Sequence, residues 1–373
     1  MRIKVLLIIV AFLLCLMLLV MTRQATSGVF SIHHIDFYEK GGDWDGFRFD
    51  KIALNQDSTE LLCVNEKGTA KFESPSVKTD FEFNEILLSW NCFCDSCGGL
   101  YIAVSVSPDG KYWNNFSYQT WGFQPVDFDS IKMFLPSDNI EDVGWLDVDI
   151  IRLYVPMRFY KFTFVCFKDK SCQFFIDRIS VCYSNTSADI RQYNNHYSVV
   201  NRIKKVSLAV PFRSQHSLPD NISGLTCSPT SLAMVLNYHG RGYSPLEVSE
   251  LVYDPNNEIY GNWLYNIQAA YAIGMEKTWV GRHNSFNELV PELLDGKPVV
   301  ISIAFDYGKL AGSPISETDG HLIVVRGFDR SNRVLVNDPA GYNVSDGICA
   351  YDLSELTQAW IGHGGIAYHI WPE

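Results

Sequence analysis

The sequence predicts two domains: an antiparallel β-sandwich of jelly-roll type, then a domain of mixed α+β class. Three observations predict this. The chain has 373 residues, against a usual domain size of roughly 150. Its middle carries short alternating apolar runs, rich in β-branched and aromatic residues and broken by turn signals. Its C-terminal half, from Val206, changes to a helix flanked by strands. Hydrophobic residues make up 47% and charged residues 19%. That composition builds packed cores and excludes a mainly disordered chain. The net charge of −12 repels phosphate backbones, so no nucleic-acid partner is expected.

Arg2 and Lys4 precede an unbroken apolar run from Val5 to Met21, followed by the small, polar Thr22–Gly28. Residues 1–28 therefore read as a signal peptide or an uncleaved signal anchor. The run is long for a signal peptide and at the short end for a membrane span. A buried core helix fits poorly, since no polar stripe gives the run a face for water. The expectation is a secreted or membrane-anchored protein with both domains outside the cytoplasm, residues 5–21 being the candidate anchor. Ten cysteines agree with an oxidising compartment. Four Asn-x-Ser/Thr sequons, at Asn115, Asn185, Asn221 and Asn343, are read as exposed turns.

Residues 29–190 supply the sandwich. Its strands include Glu85–Trp90, Leu100–Val106, Ile150–Val155, Tyr160–Val165 and Phe175–Val181. Pro108-Asp109-Gly110 is one of the turns between them. Trp44, Trp113 and Trp121 are read either as a saccharide platform, with a surface glycan as partner, or as core aromatics. Cys92, Cys94 and Cys97 form a CxCxxC. With no second CxxC to complete a zinc site, disulfides are the preferred reading, and Cys166 with Cys172 is one candidate pair. The polar, Asn-rich stretch that follows contains a linker at residues 191–205.

The domain at 206–373 carries the chemistry. Thr226 is a candidate N-cap, Pro229 suits the first helical turn, and Gly240 ends the helix. Cys227 therefore stands at a helix N-terminus, where the dipole and free N–H groups stabilise a thiolate. His321 opens an apolar strand. A hairpin turning near Arg330 brings Asp338 nearly opposite it, so that a carboxylate orients the imidazole. Asn337 is an alternative orienter, on the other face of the strand. Gln215, 12 residues before Cys227, is a candidate donor to a developing oxyanion, with the Cys227 N–H as the other.

VPFRSQ, TCSPTSLAMVLNYHG, DGHLIVVRGFD, VLVNDPA and ELTQAWIGHGGIAYHIWP resemble a papain-like cysteine peptidase. The similar branch is that of the bacteriocin-processing (double-glycine) peptidases. The resemblance spans about Val206 to Glu373, and a weaker one extends to a β-sandwich preceding this domain in some secreted bacterial members. It implies Cys227 as nucleophile, His321 as general base and acid, Asp338 as orienter and Gln215 in the oxyanion hole. It also implies a peptide or protein substrate, and neither metal nor organic cofactor is expected. One departure is Ser228, where the family usually has Gly. A side chain there crowds the turn or the substrate path if the turn needs positive φ. Ser228 supports one rival reading, an inactive binding or adhesion protein on a peptidase scaffold. A second rival is a thiol amidase or transpeptidase acting on cell-wall peptides. No GxxxxGK[ST] is present, so this chain is not an exporter with a built-in ATPase. His33-His34 lack further ligands for a metal, and His363 reads as a loop residue.

Overall fold

The computed structural model describes residues 32–95, 97–122, 140, 142–169, 172–187, 205–329 and 331–372. The export segment, Arg330 and most of the linker lie outside these residues. Among them no helix is long and apolar enough to cross a membrane.

The structure is mostly antiparallel sheet with a few helices. Among the described residues the first half contributes eleven strands: β1 (Ile32–Tyr38), β2 (Arg48–Asp50), β3 (Ile52–Leu54), β4 (Leu61–Cys63), β5 (Gly68–Glu73), β6 (Val77–Cys94), β7 (Gly98–Ser107), β8 (Asn114–Gly122), β9 (Gly144–Asp147), β10 (Ile150–Lys168) and β11 (Phe174–Asn185). Each strand expected from alternation lies within one of these. Ile150–Val155 and Tyr160–Val165, expected as separate strands, are a single strand β10. The interruption read between them is real in another form. Pro156 lies where the β10–β6 register shifts between Arg152 and Met157, because proline has no N–H for the ladder.

The two longest strands change partners along their length. The first part of β6 pairs with β10 and its second part with β11, from Glu85 to Cys94. The far end of β10 lies between β5 and β7. Aromatics fill the space between. Phe72 and Phe164 stack at 4.9 Å, and Trp44 is buried against Tyr38 and Phe47. Trp44 is thus a core residue and no part of a sugar platform. Lys161 lies over the Trp113 ring.

Among its described residues the second half has seven strands: β12 (Val206–Ser207), β13 (Lys277–Arg282), β14 (Val299–Phe305), β15 (Thr318–Phe328), β16 (Arg333–Asn337), β17 (Ile348–Asp352) and β18 (Ile366–Trp371). Their order is β13-β18-β14-β15-β16-β17, with β12 on β15. Four helices of eight or more residues accompany them: α1 (Cys227–Tyr238), α2 (Pro245–Val252), α3 (Trp263–Ala272) and α4 (Leu353–Ile361). Period-two alternation divides the sheet between two cores. Val300, Leu322, Val324 and Tyr368 face α1 and α3 and join the core of the first half. Val299, Ile301, Ile323 and Val325 face Trp360 of α4. Gly327 permits the crossing of β12: at φ +152 its absent Cβ would stand 2.0 Å from the Val206 carbonyl oxygen.

The two halves meet through buried polar groups. The Cys92 N–H donates to Gln268 Oε1 at 2.9 Å, and Gln268 Nε2 donates to the Cys92 carbonyl at 2.6 Å. Asn91 Nδ2 donates to Thr278 Oγ1 at 2.6 Å. The Glu85 carboxylate pairs with Arg282 and with Arg152. Gln268→Leu strands a buried N–H and C=O of β6, at about 1–3 kcal/mol each. It is expected to lower the urea midpoint by the corresponding amount. An unchanged midpoint would mean that the amide does not hold the halves together.

Candidate active site

Thr226 occupies the N-cap position of α1, but its side chain accepts no capping bond. Its Oγ1 donates to the Ser223 carbonyl at 3.2 Å instead. Cys227 follows as the first helical residue, half-buried, with the Ser228 and Leu322 N–H groups on its sulfur. Two hydroxyls dock the helix on the sheet. Ser231 Oγ donates to the Leu322 carbonyl at 2.9 Å, and Ser228 Oγ bonds the Tyr368 hydroxyl at 2.9 Å. Ser228 is therefore buried and turned toward β18. Its φ is not positive, so neither the turn nor the cleft is crowded by its side chain.

His321 and Asp338 are both buried, and His321 Nε2 lies 2.7 Å from Asp338 Oδ1. The remaining ring nitrogen takes the hydrogen bond with the Cys227 thiol. Burial pushes the Cys227 thiol up, but the His321 hydrogen bond and charge and the two N–H groups outweigh it, so its pKa falls. For His321, burial opposes the charge, and the Asp338 carboxylate with the Cys227 partner overcomes it, raising the pKa to about 10. The site thus favours a thiolate–imidazolium pair.

Asp338 is fully used. Oδ1 also accepts from the Ala340 N–H at 3.0 Å, and Oδ2 accepts from the Tyr351 hydroxyl at 2.7 Å. Burial works against its charge, but these partners hold its pKa below the ordinary value. Tyr351 was not legible in the sequence, because nothing in Ala350-Tyr351-Asp352 distinguishes it from a core aromatic. Asn337 points elsewhere, with Nδ2 donating to the Val210 carbonyl at 2.9 Å. Gln215 is buried in a single 3-10 turn. Its N–H donates to the Pro339 carbonyl at 2.9 Å, next to Asp338. Gln215 Oε1 has no hydrogen-bond partner.

Cys227 opens on a cleft of about 660 Å³. One wall is His363 with Gly320 and Gly364, from the second half. The first half also lines it, with Glu85 and the turn Asp147–Arg152. Val148 holds φ +50 there, a costly conformation for a β-branched residue. Gln119 Nε2 donates to its carbonyl at 2.6 Å, and the Tyr118 hydroxyl donates to the Asp149 carbonyl at 2.6 Å. Burial raises the Asp149 pKa to about 8, against the Trp263 and Leu264 N–H groups. The sequence signal for this wall was a charge inside an apolar run, Arg152 in Ile150–Val155. Among the described residues no group of three or more His, Cys, Asp or Glu side chains has the geometry to hold a metal.

Residues 207–368 match the model of the Peptidase_C39 like family. Among solved structures, a putative C39-like peptidase from Bacillus anthracis is 22% identical. The match covers 45% of this chain and 98% of that one, with a TM-score of 0.36. A double glycine motif protease from an AMS/PCAT transporter, solved with its leader peptide, is also 22% identical. It covers 46% of this chain and 100% of its own, with a TM-score of 0.31. The Emp46p carbohydrate recognition domain is 10% identical, covering 39% of this chain and 91% of that one, with a TM-score of 0.22. No curated protein matches the chain. The second half of the chain, with Cys227, His321 and Asp338 inside the matched span, is similar to the C39-like peptidases.

Proposed function

We propose that the chain is an exported cysteine peptidase that hydrolyses peptide bonds through Cys227, His321 and Asp338. The observation that carries this reading is the hydrogen-bonded series Cys227–His321–Asp338–Tyr351 opening on a cleft. The Cys227 thiolate attacks the substrate carbonyl carbon. Gln215 Nε2 and the Cys227 N–H donate to the oxyanion. The intermediate collapses as His321 protonates the leaving amine, leaving a thioester. Water, deprotonated by His321, then releases the acid. The inward placement of Ser228 favours this reading over the inactive scaffold. The same groups would serve a thiol amidase, so the substrate panel includes cell-wall peptides.

Three further parts of the reading go with it. Residues 1–28 direct export, with residues 5–21 as signal or anchor. The first half, residues 29–190, closes as a β-sandwich, which the partner changes of β6 and β10 around one aromatic core support. The linker runs over residues 191–205 to a peptidase domain at 206–373. The Glu85 and Asp147–Arg152 wall gives the first half a part in selecting substrate.

The thiolate exists above the lowered Cys227 pKa, and its imidazolium partner below the His321 value of about 10. Iodoacetamide labelling of Cys227, followed by mass spectrometry, should therefore rise with pH through a midpoint below the ordinary thiol value of about 8.5. Asp338→Asn removes the charge that raises His321, so the midpoint should move up by roughly 1–3 units. Labelling with the pH profile of an ordinary thiol in the unaltered protein would sink the peptidase reading. Once a peptide substrate is found, Asp147→Ala should raise KM several-fold. A KM equal to that of the parent would remove the first half from substrate selection.

A further inference from the structure

Three thiols meet where β6 ends and β11 begins. Cys94 Sγ and Cys172 Sγ are 3.9 Å apart, and the Cys172 thiol also hydrogen-bonds that of Cys97. The two loops that carry them are tied together. Gln173 N–H donates to Asp95 Oδ2 at 2.9 Å, and Asp169 N–H donates to the Cys97 carbonyl at 3.1 Å. Gly98 packs on both sulfurs: a Cβ there would stand 2.5 Å from Cys94 Sγ and 2.8 Å from Cys172 Sγ. The space of a missing side chain is filled by the sulfur pair. Cys166, by contrast, lies against Cys63, so its pairing with Cys172 is not the contact that the fold provides. All nine described cysteines are free thiols in this structure.

We propose that Cys94 and Cys172 form a disulfide in the mature protein, and that Cys97 is the third member of an exchange site, attacking either sulfur of that bond. The oxidant is an external disulfide such as oxidised glutathione. The Cys94 thiolate attacks one glutathione sulfur and expels the other as thiolate. The Cys172 thiolate then attacks Cys94 and expels the second. Two protein thiols lose two electrons and two protons, and one glutathione disulfide becomes two thiols. Attack by Cys97 on Cys172 releases Cys94 and conserves the disulfide.

Two observations set the direction of the equilibrium. Burial pushes the Cys172 thiol up to about 11 and Cys94 higher still. The reduced state therefore gains no thiolate stabilisation, unlike the low-pKa thiols of strong disulfide oxidants. The bond also spans a sequence separation of 78 residues, a long loop of the kind whose closure restricts the unfolded chain most.

The test is a peptide map, independent of the reading of Cys227. The full chain is equilibrated with reduced and oxidised glutathione, quenched in acid, alkylated with N-ethylmaleimide and digested without reduction. Cys94 is expected linked to Cys172 in most molecules, with Cys97 alkylated. In Cys94→Ser the link should pass to Cys97–Cys172, and in Cys97→Ser it should stay at Cys94–Cys172. The map of the unaltered chain decides the matter if a variant does not fold. All three thiols alkylated after equilibration, a Cys166–Cys172 link, or one zinc per chain lost in Cys172→Ser would each overturn the proposal.

Discussion

The packing of α1 on β15 is the constraint on which the site depends. Cys227 and His321 are distant in sequence, and the helix–sheet contact decides whether they touch. Ser228 and Ser231, three residues apart on one helix face, bond Tyr368 of β18 and the Leu322 carbonyl of β15. These bonds fix both the rotation of the helix and its height above the sheet. Leu322 follows His321 directly, so the bond that docks the helix also sets the reach from sulfur to imidazole. A glycine at position 228 would leave the Tyr368 hydroxyl, which is buried, without this partner. Ser228 thus acts as a docking residue.

Behind that contact, charge is buried and must be compensated. A carboxylate removed from water is strongly destabilising unless every lone pair it loses is replaced. Asp338 is fully buried and receives donors from His321, Ala340 and Tyr351. Its charge then raises the His321 pKa, and the imidazolium lowers that of Cys227. Each group is tuned by the one behind it, from Tyr351 to the sulfur.

The cleft depends on a second contact, between β6 and β13. Glu85, Ser89 and Asn91 of β6 face Arg282, Val280 and Thr278 of β13, through an ion pair and hydrogen bonds. An apolar face alone would tolerate a slip, whereas buried polar pairs specify one register. That register places the start of β10 in the lining of the same cleft as Cys227. Arg152 completes it by sharing Glu85 with Arg282 while also holding Asp147 at 2.8 Å. The strained Val148 turn is anchored on one side by this pair and on the other by Gln119 and Tyr118. A rigid wall results where a connecting turn would otherwise be free.

What the sequence revealed and what it concealed divide along a physical line. The helix start at Cys227 and the strands of the first half were legible because they rest on local patterns: Pro and Gly punctuation, and period-two alternation. The hairpin that brings His321 near Asp338 was legible because a short turn joins the two strands, although a bulge between Val325 and Gly327 sets the actual register. Tyr351, Glu85 and Arg282 were not, since each acts only through a partner brought by tertiary packing. Arg152 shows the boundary most clearly. It is a charge inside the apolar strand Ile150–Val155, a local inconsistency that the strand pattern alone does not explain. Its partner Glu85 is shared with a buried guanidinium, Arg282, whose position depends on the β6–β13 register. No window of sequence contains both residues, so the cleft wall is a property of the joined halves and of neither alone.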